Sequence, residues 1–368
     1  MALGFPTRRV REGLVELLVP DVPQGPGPGT RSALPFYNPA MAVGRDLTVH
    51  TLAAGLPRSA TILDGLAGTG VLGLRAALET DRDLRVIWND KNPHATDLIR
   101  GNAARNGVSG EVLCEDLRTV LSRDRFAYVD LDPFGPPVPF VDAVLQQAWR
   151  GSVVGITATD TAPLAGTYPR ACLRRYGARS LRSPCGPETA LRIFIGYLVR
   201  VAASHERGLR VLLAVAAEHF VRAIVAVEPG VRAADECLAQ LGYVGFDGAR
   251  FEITDAPPPR AHAGPLWLGP MVDREVAKAP RVAEIGFAAT EVLERLAVEA
   301  DLPPFHYANH SLAQTLGVAD PVPIVEFLNA LRAAGHRASR TYFTANGVRT
   351  DAPWEDVARV YREVAAKR

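Results

Sequence analysis

From Ala60 onward the chain alternates short apolar runs with amphipathic stretches. Ala60–Leu66 predicts a strand, a glycine-rich turn follows, and Val71–Glu79 predicts a helix. Leu84–Asp90 predicts a second strand, with a helix over about Pro93–Arg105 behind it. Further strands are expected at Glu111–Asp116, Phe126–Pro133, Gly151–Asp160 and Gly208–Glu218. Helices at Val141–Arg150 and about Glu188–Ser204 separate the last of these. Continuous Val, Ile and Leu runs of strand length, spaced by helices, mark a parallel sheet covered on both faces. The expected fold class is α/β: a doubly wound, Rossmann-like sheet whose ligands sit beyond the carboxyl ends of its strands. The first 30 residues read as a short apolar-basic stretch and then a loop over Asp21–Thr30.

The pattern breaks at Asp255–Pro270, where a triple proline and two glycines interrupt it. A boundary is expected there, giving an α/β domain over 1–258 and a smaller α+β domain over 259–368. In the second part, Arg281–Ala300 predicts a long amphipathic helix, and His310–Gly317 and Pro321–Gly335 two shorter ones. His336–Phe343 and Val348–Ala352 predict a strand pair turning at Asn346-Gly347. At roughly 150 residues per domain, 368 residues agree with two.

Composition excludes several classes. Hydrophobic residues are 48% and charged residues 22%, which rules out wholesale disorder. No apolar run approaches the roughly 20 residues of a membrane span. The opening residues lack a signal-peptide pattern, and the four cysteines form no CxxC pair. A cytoplasmic chain without structural zinc is expected.

The net charge of +1 argues at first against nucleic acid. Placement changes that. Of the 41 basic residues only three are lysine, and two arginine-bearing segments contain no acid at all. One is Thr161–Pro187, with Arg170, Arg174, Arg175, Arg179 and Arg182; the other is Asn329–Thr350, with Arg332, Arg337, Arg340 and Arg349. A neutral chain can thus carry local basic patches.

Asp64-Gly65-Leu66-Ala67-Gly68-Thr69-Gly70 closes the first strand, and Gly68-x-Gly70-x-x-Gly73 fits a nucleotide-cofactor loop. By itself the loop serves an NAD(P)-dependent oxidoreductase or an S-adenosylmethionine enzyme. Asp64, before the glycines, suits the cationic end of a methionine moiety and would repel a diphosphate. Asp90 ends the second strand, where an acid accepts hydrogen bonds from a ribose. Asp116 ends the third and can hold an adenine amino group. Each of these acids can equally be a helix cap.

Asp130-Leu131-Asp132-Pro133-Phe134-Gly135 ends the fourth strand. A carboxylate (Asp132) beside a carbonyl (Pro133) can accept both N–H protons of an exocyclic amine and turn its lone pair towards a methyl donor. Phe134 can stack on a base that has left its helix, a step costing a few kcal/mol.

Several runs together resemble the tRNA guanine-N2 dimethyltransferase family. They are Phe36-Tyr37-Asn38-Pro39-x-Met41 with Arg45-Asp46, the Asp130–Gly135 run, Thr157–Asp160 and Cys185-x-x-Glu188-x-x-Leu191-Arg192. Gly264-Pro265-Leu266-Trp267-x-Gly269 and Ser339-Arg340-Thr341-x-Phe343 complete the series, in order over about Phe36–Ala352. The resemblance implies a class I methyltransferase domain plus a family-specific C-terminal domain. It implies S-adenosylmethionine as cofactor, and as partner a tRNA whose guanine at position twenty-six is the acceptor. It implies cofactor contacts at Arg45, Arg75, Asp90, Asp116 and Leu117, beside the loop residues Asp64, Gly68 and Gly70. It implies Asp132 as the catalytic acid and Phe36 with Phe134 around the base. Arg170, Arg174, Arg175 and Arg340 are then expected to grip tRNA phosphates, the first three overhanging the Asp132 pocket. Arg337 and Arg349, with Tyr342 and Phe343, would add a basic-aromatic surface. Neither a membrane nor an obligate protein partner is implied. Two departures stand out: Gly44 replaces a usual asparagine, and Leu241–Pro270 lacks the four-cysteine zinc site of many relatives. Packing around Trp267 is the expected substitute. Other exocyclic amines of nucleic acid, an oxidoreductase and a tRNA-binding protein without activity are the alternative readings.

Overall fold

A computed structural model describes residues 4–21, 34–217 and 219–367. The loop expected at Asp21–Thr30 lies outside the described residues, Asp21 excepted. The chain forms two compact units, interleaved along the sequence rather than divided at 258/259. The first comprises residues 1–160, 199–237 and 278–290; the second comprises 161–198, 238–277 and 291–368.

The first unit opens with an antiparallel hairpin, β1 (Thr7–Glu12) and β2 (Val15–Pro20), which the sequence pattern did not reveal. Five parallel strands follow: β3 (Ser59–Asp64), β4 (Asp83–Asn89), β5 (Gly110–Leu113), β6 (Tyr128–Leu131) and β7 (Val153–Ala158). A hairpin of β8 (Arg207–Ala217) and β9 (Phe220–Pro229) completes a seven-stranded sheet of order β5-β4-β3-β6-β7-β9-β8. The sheet is therefore mixed, because β9 runs antiparallel between β7 and β8. β9 escaped the sequence reading because Arg222 interrupts its apolar run near the start, and burying a guanidinium needs partners that sequence alone does not display. Every residue of β6 and β7 is buried, as expected for a sheet covered on both faces. Helices Ala42–Gly55, Val71–Glu79, Pro93–Arg105 and Val138–Gln147 belong to this unit. Asn92 caps the third of these from its side chain, with Pro93 at the first helical position.

The second unit holds two small antiparallel sheets. One orders Arg250–Thr254, Leu241–Asp247 and His262–Trp267. The stretch expected as a linker thus supplies a strand: the triple proline precedes it, Gly264-Pro265 lies within it, and Gly269-Pro270 follows it. The other sheet orders Tyr307–Ala308, Gly347–Thr350 and Ala338–Arg340, with Ala338 opposite Thr350. Its core includes Leu312, Phe327, Leu331, Val348 and Tyr361. Tyr361 lies on the final helix Trp354–Ala366, and its hydroxyl donates to Asn309 Oδ1 at 2.6 Å. The helix expected over Arg281–Ala300 is confined to Phe287–Glu299. No helix among the described residues is long and apolar enough to cross a membrane.

Candidate active site

The carboxyl ends of β5, β4, β3 and β6 lie side by side and present four acids: Asp116, Asp90, Asp64 and Asp132. The turn after β3 needs its glycines. Gly70 adopts φ +78°, a left-handed conformation that favours glycine. A Cβ on Gly73 would fall 2.3 Å from Trp88 Nε1, so the helix Val71–Glu79 seats directly on β4. Asp64 is buried and accepts one hydrogen bond, from Gly73 N–H at 3.1 Å. Burial, and then the neighbouring Asp130, push its carboxyl well above the ordinary range. Asp90 accepts from Gly68 N–H at 3.0 Å and from Asn92 N–H at 2.9 Å, and burial raises its pKa. The loop is thus tied to the end of β4 through Gly68. Asp116 does what a capping acid does. Its carboxylate accepts from Arg118 N–H and pairs with the Arg118 side chain, whose hydrogen bond holds its pKa down. Leu117 beside it is buried.

Asp132 is half-buried at the end of β6. Burial and Asp130 raise its pKa to about 6, against the opposing pull of Arg222 and a hydrogen bond from Thr157. The turn that carries it is pinned to the end of β7. Gly135 N–H donates to Thr159 Oγ1 at 2.7 Å, and Thr159 N–H donates to the Gly135 carbonyl at 3.1 Å. The Phe134 ring is 44% exposed and meets the Phe36 ring edge-on, with centroids 5.0 Å apart. Two aromatic walls therefore stand beside the acid.

Beneath the acid lies an arginine that the sequence reading missed. Arg222, 5% exposed, ion-pairs with Asp130 and donates to Thr48 Oγ1 at 3.0 Å, Thr157 Oγ1 at 2.6 Å and the Tyr128 hydroxyl at 3.1 Å. The Tyr128 hydroxyl in turn donates to Asp130 Oδ1 at 2.5 Å. Burial alone would lower the Arg222 pKa; Asp130 more than reverses it. The guanidinium thus joins β6, β7, β9 and the helix Ala42–Gly55, and Thr157 relays its donor to Asp132. A lone basic residue inside an apolar strand run was the available signal.

A second missed residue is Glu12, at the end of β1. Its two oxygens take Nε and a terminal nitrogen of Arg45, each at 2.6 Å, over the Tyr37 ring. Burial would raise the Glu12 pKa, and the Arg45 hydrogen bonds overcome this and lower it. Arg75 differs from the other expected cofactor contacts. It is 0% exposed, and its guanidinium is shared among Glu12 at 3.0 Å, Asp46 at 2.6 Å and Glu79 at 2.8 Å. Such a residue fixes Glu12 and hence Arg45. Asp46 also accepts from Gly286 N–H at 3.0 Å. A Cβ on Gly44 would touch the Phe220 ring at 3.0 Å, so the ring packs closely over this glycine.

In the second unit, Arg170, Arg174, Arg175 and Arg340 are exposed. Arg349 is not a surface residue, correcting that expectation. It is 2% exposed and ion-paired with Glu188 at 2.9 Å and Glu299 at 2.8 Å. Arg337 is committed to Asp351 at 2.7 Å. Trp267 is buried, and its indole donates to the Pro270 carbonyl at 2.9 Å. His306 pairs with Glu188 and His310 is exposed. Among the described residues no group of three or more His, Cys, Asp or Glu is placed to hold a metal ion.

Comparison with known proteins gives one consistent picture. Residues 29–362 match the sequence model of a family described as N2,N2-dimethylguanosine tRNA methyltransferase. The chain is 37% identical to the tRNA (guanine(26)-N(2))-dimethyltransferase of Thermococcus kodakarensis, over 96% of this chain and 99% of that protein. It is 39% identical to the protein of the same name from Pyrobaculum arsenaticum, over 96% and 98%. Among solved structures it resembles the complex of Trm1 from Pyrococcus horikoshii with S-adenosyl-L-methionine, with a TM-score of 0.84 and 34% identity over 96% and 99% of the two chains.

Proposed function

Since this chain belongs to the N2,N2-dimethylguanosine tRNA methyltransferase family, we propose that its four-acid sheet rim receives the cofactor and that Asp132 holds the guanine amine. The protein is a tRNA methyltransferase that transfers methyl groups from S-adenosylmethionine to the exocyclic N2 of a guanine, giving N2,N2-dimethylguanosine. The relatives' names specify guanine 26, and we assign the same acceptor here.

The residues present fit the cofactor. Asp64 is a buried carboxyl with one hydrogen bond and no cationic partner among the described residues. The ammonium end of the methionine moiety would complete it. Asp90 would take the ribose hydroxyls, Asp116 and Leu117 the adenine, and Arg45 the cofactor carboxylate. Arg75 and Glu12 would hold Arg45 in place. When bound, S-adenosylmethionine supplies an electrophilic methyl on a sulfonium.

The chain's own part is positioning and proton handling. The Asp132 carboxylate accepts one N2–H of the guanine and the Pro133 carbonyl the other, leaving the lone pair free to face the methyl. Phe36 and Phe134 confine the flipped base. A proton leaving the methylated amine passes to Asp132, whose raised pKa suits a group that must take a proton near neutrality. Monomethylguanine keeps one N–H for the same carboxylate, so a second round uses the same contacts. Arg170, Arg174, Arg175 and Arg340 would bind tRNA phosphates, with a moderate salt dependence. Four free cysteines agree with a reducing, cytoplasmic setting.

Asp132 beside the Phe36–Phe134 pair carries this reading. The test is nucleoside mass spectrometry of a tRNA transcript incubated with the protein and S-adenosylmethionine. N2,N2-dimethylguanosine should appear, and should vanish when guanine 26 is replaced. Nicotinamide-cofactor binding without methyl transfer would overturn the reading.

The Asp64 assignment makes its own prediction. Asp64→Asn removes the anion opposite the ammonium and should weaken S-adenosylmethionine binding by about tenfold or more in calorimetry. Stability should move the other way. The folded-state pKa is raised, so the wild type loses stability from this group as pH rises above the unfolded value, while asparagine is insensitive. The melting temperature of Asp64→Asn relative to wild type should therefore climb between pH 5 and pH 8.

A further inference from the structure

The second unit carries an exposed aromatic that the proposed reaction does not use. Tyr168 is 60% exposed and opens the helix Pro169–Tyr176. It borders an open hollow of about 740 Å³ shared with Pro163, Thr167, Arg170, Arg174 and Arg175. The mount beneath it is firm. Cys172 and Tyr176, on the inner face of the helix, are fully buried, and Tyr176 packs edge-on against Phe194 and Tyr197. Gly177 ends the helix in a left-handed turn, its N–H donating to the Leu173 carbonyl at 3.0 Å. Ser180 Oγ donates to the carbonyl of Pro163, one of the hollow's lining residues, at 2.6 Å. The outer face is left to Arg170, Leu173 and Arg174, all exposed.

The chemistry of that face is specific. The segment 161–187 holds five arginines and no acid, so its own charge is strongly positive. Arg170 and Arg174 make no ion pair among the described residues, so both forks remain open to an anion. Planar forks match phosphate oxygens two at a time. A tyrosine ring beside such forks in the same hollow offers a stacking face, and any base has a complementary one. Aromatic face and phosphate grips in one hollow are the parts of a single-stranded nucleotide site. A duplex has its bases stacked inside and would use the arginines alone.

We propose that Tyr168 is a stacking platform for an unpaired base of the tRNA substrate, with Arg170 and Arg174 on the adjoining phosphates. This nucleotide is not the methylated one, whose aromatic walls, Phe36 and Phe134, belong to the other unit. The proposal rests on the reading of the chain as a tRNA methyltransferase. It adds a second point of substrate recognition to that reading.

The test uses the full chain and a tRNA transcript. Tyr168→Ala should raise KM for tRNA about tenfold while leaving kcat and S-adenosylmethionine affinity unchanged. Tyr168→Phe should behave as wild type, because stacking needs the ring and not the hydroxyl. Tyr168→Trp should also keep KM, and its added emission should be quenched when tRNA binds. The Arg170→Ala/Arg174→Ala double variant should raise KM and reduce the salt slope of binding by about 1.4–1.8. An unchanged KM in Tyr168→Ala overturns the proposal, whether or not the arginine variant weakens binding. So does a Tyr168→Phe defect as large as that of Tyr168→Ala. Absence of methyl transfer in the wild type would instead overturn the parent reading, so the two failures are distinguishable.

Discussion

Asp132→Asn should abolish methyl transfer while leaving the cofactor bound. The amide keeps the size of the side chain but replaces one acceptor oxygen with a donor, which meets the guanine amine N–H head-on. It also removes the group that takes the proton. Loss of such a group lowers kcat by about 10²–10⁴-fold. Affinity for S-adenosylmethionine should stay within about threefold of wild type, since the contacts assigned to the cofactor lie at Asp64, Asp90, Asp116 and Arg45. The pH profile supplies a second readout. The working form of Asp132 is the carboxylate, and its pKa is raised to about 6. Activity should therefore fall as pH drops through about 6, a limb that an ordinary exposed aspartate would place two units lower. A wild-type profile flat down to pH 5, or an Asp132→Asn variant with more than a tenth of wild-type turnover, would refute the assignment.

The largest effect on stability is expected in the second unit, at Glu188. This residue is 0% exposed, and its carboxylate is used completely. One oxygen accepts from Arg192 Nε at 2.9 Å and from Phe305 N–H at 2.8 Å. The other meets His306 Nδ1 at 2.7 Å and Arg349 at 2.9 Å. Glu188→Gln turns an NH2 group toward these donors and leaves two buried guanidinium groups short of an anion. Breaking a buried ion pair from one side costs about 3–5 kcal/mol. In a unit of this size that corresponds to a melting temperature lower by about 10 °C. The pH dependence separates this account from simple loss of packing. Burial would raise the Glu188 pKa, but Arg349 and then Arg192 hold it well below the ordinary value. A depressed carboxylate contributes its full stability above its unfolded pKa and loses it as pH falls through the folded one. The gap between wild type and variant should accordingly be constant from pH 6 to pH 7 and narrow on acidification below about 4.5. Scanning calorimetry across that range checks both points.

These cases show what the sequence displays and what it withholds. Asp132, Phe134 and the glycine turn were legible because each sits at a strand end, where local pattern and function coincide. The parallel strands were legible because their apolar runs are continuous. Glu12 and Arg222 were not. Each gains its meaning from partners far away along the chain, Arg45 and Arg75 in one case and Asp130 and Thr157 in the other. Arg349 was misread as surface for the same reason: an arginine in an acid-free segment looks solvated until Glu188 and Glu299 fold against it. The domain division followed suit. Proline and glycine mark a chain that turns, and around Asp255–Pro270 it turns into a sheet strand rather than out of a domain. Charge pairing across sequence distance is the level at which a single sequence is silent.

The position of Arg222 has a consequence for how the protein is made. Synthesis proceeds from the N-terminus, so Asp130 and Asp132 leave the ribosome well before β9 does. Until β9 joins the sheet, the two acids stand close together in a tightening interior without Arg222, the cation that pairs with Asp130. The early strands can pair, but the turn carrying Asp132 is electrostatically unfinished. Its completion waits on a strand that arrives after the whole excursion through residues 161–198. Asp132, the acid proposed to hold the guanine amine, is thus set in its final electrostatic surroundings late, by an arginine more than 80 residues further along the chain.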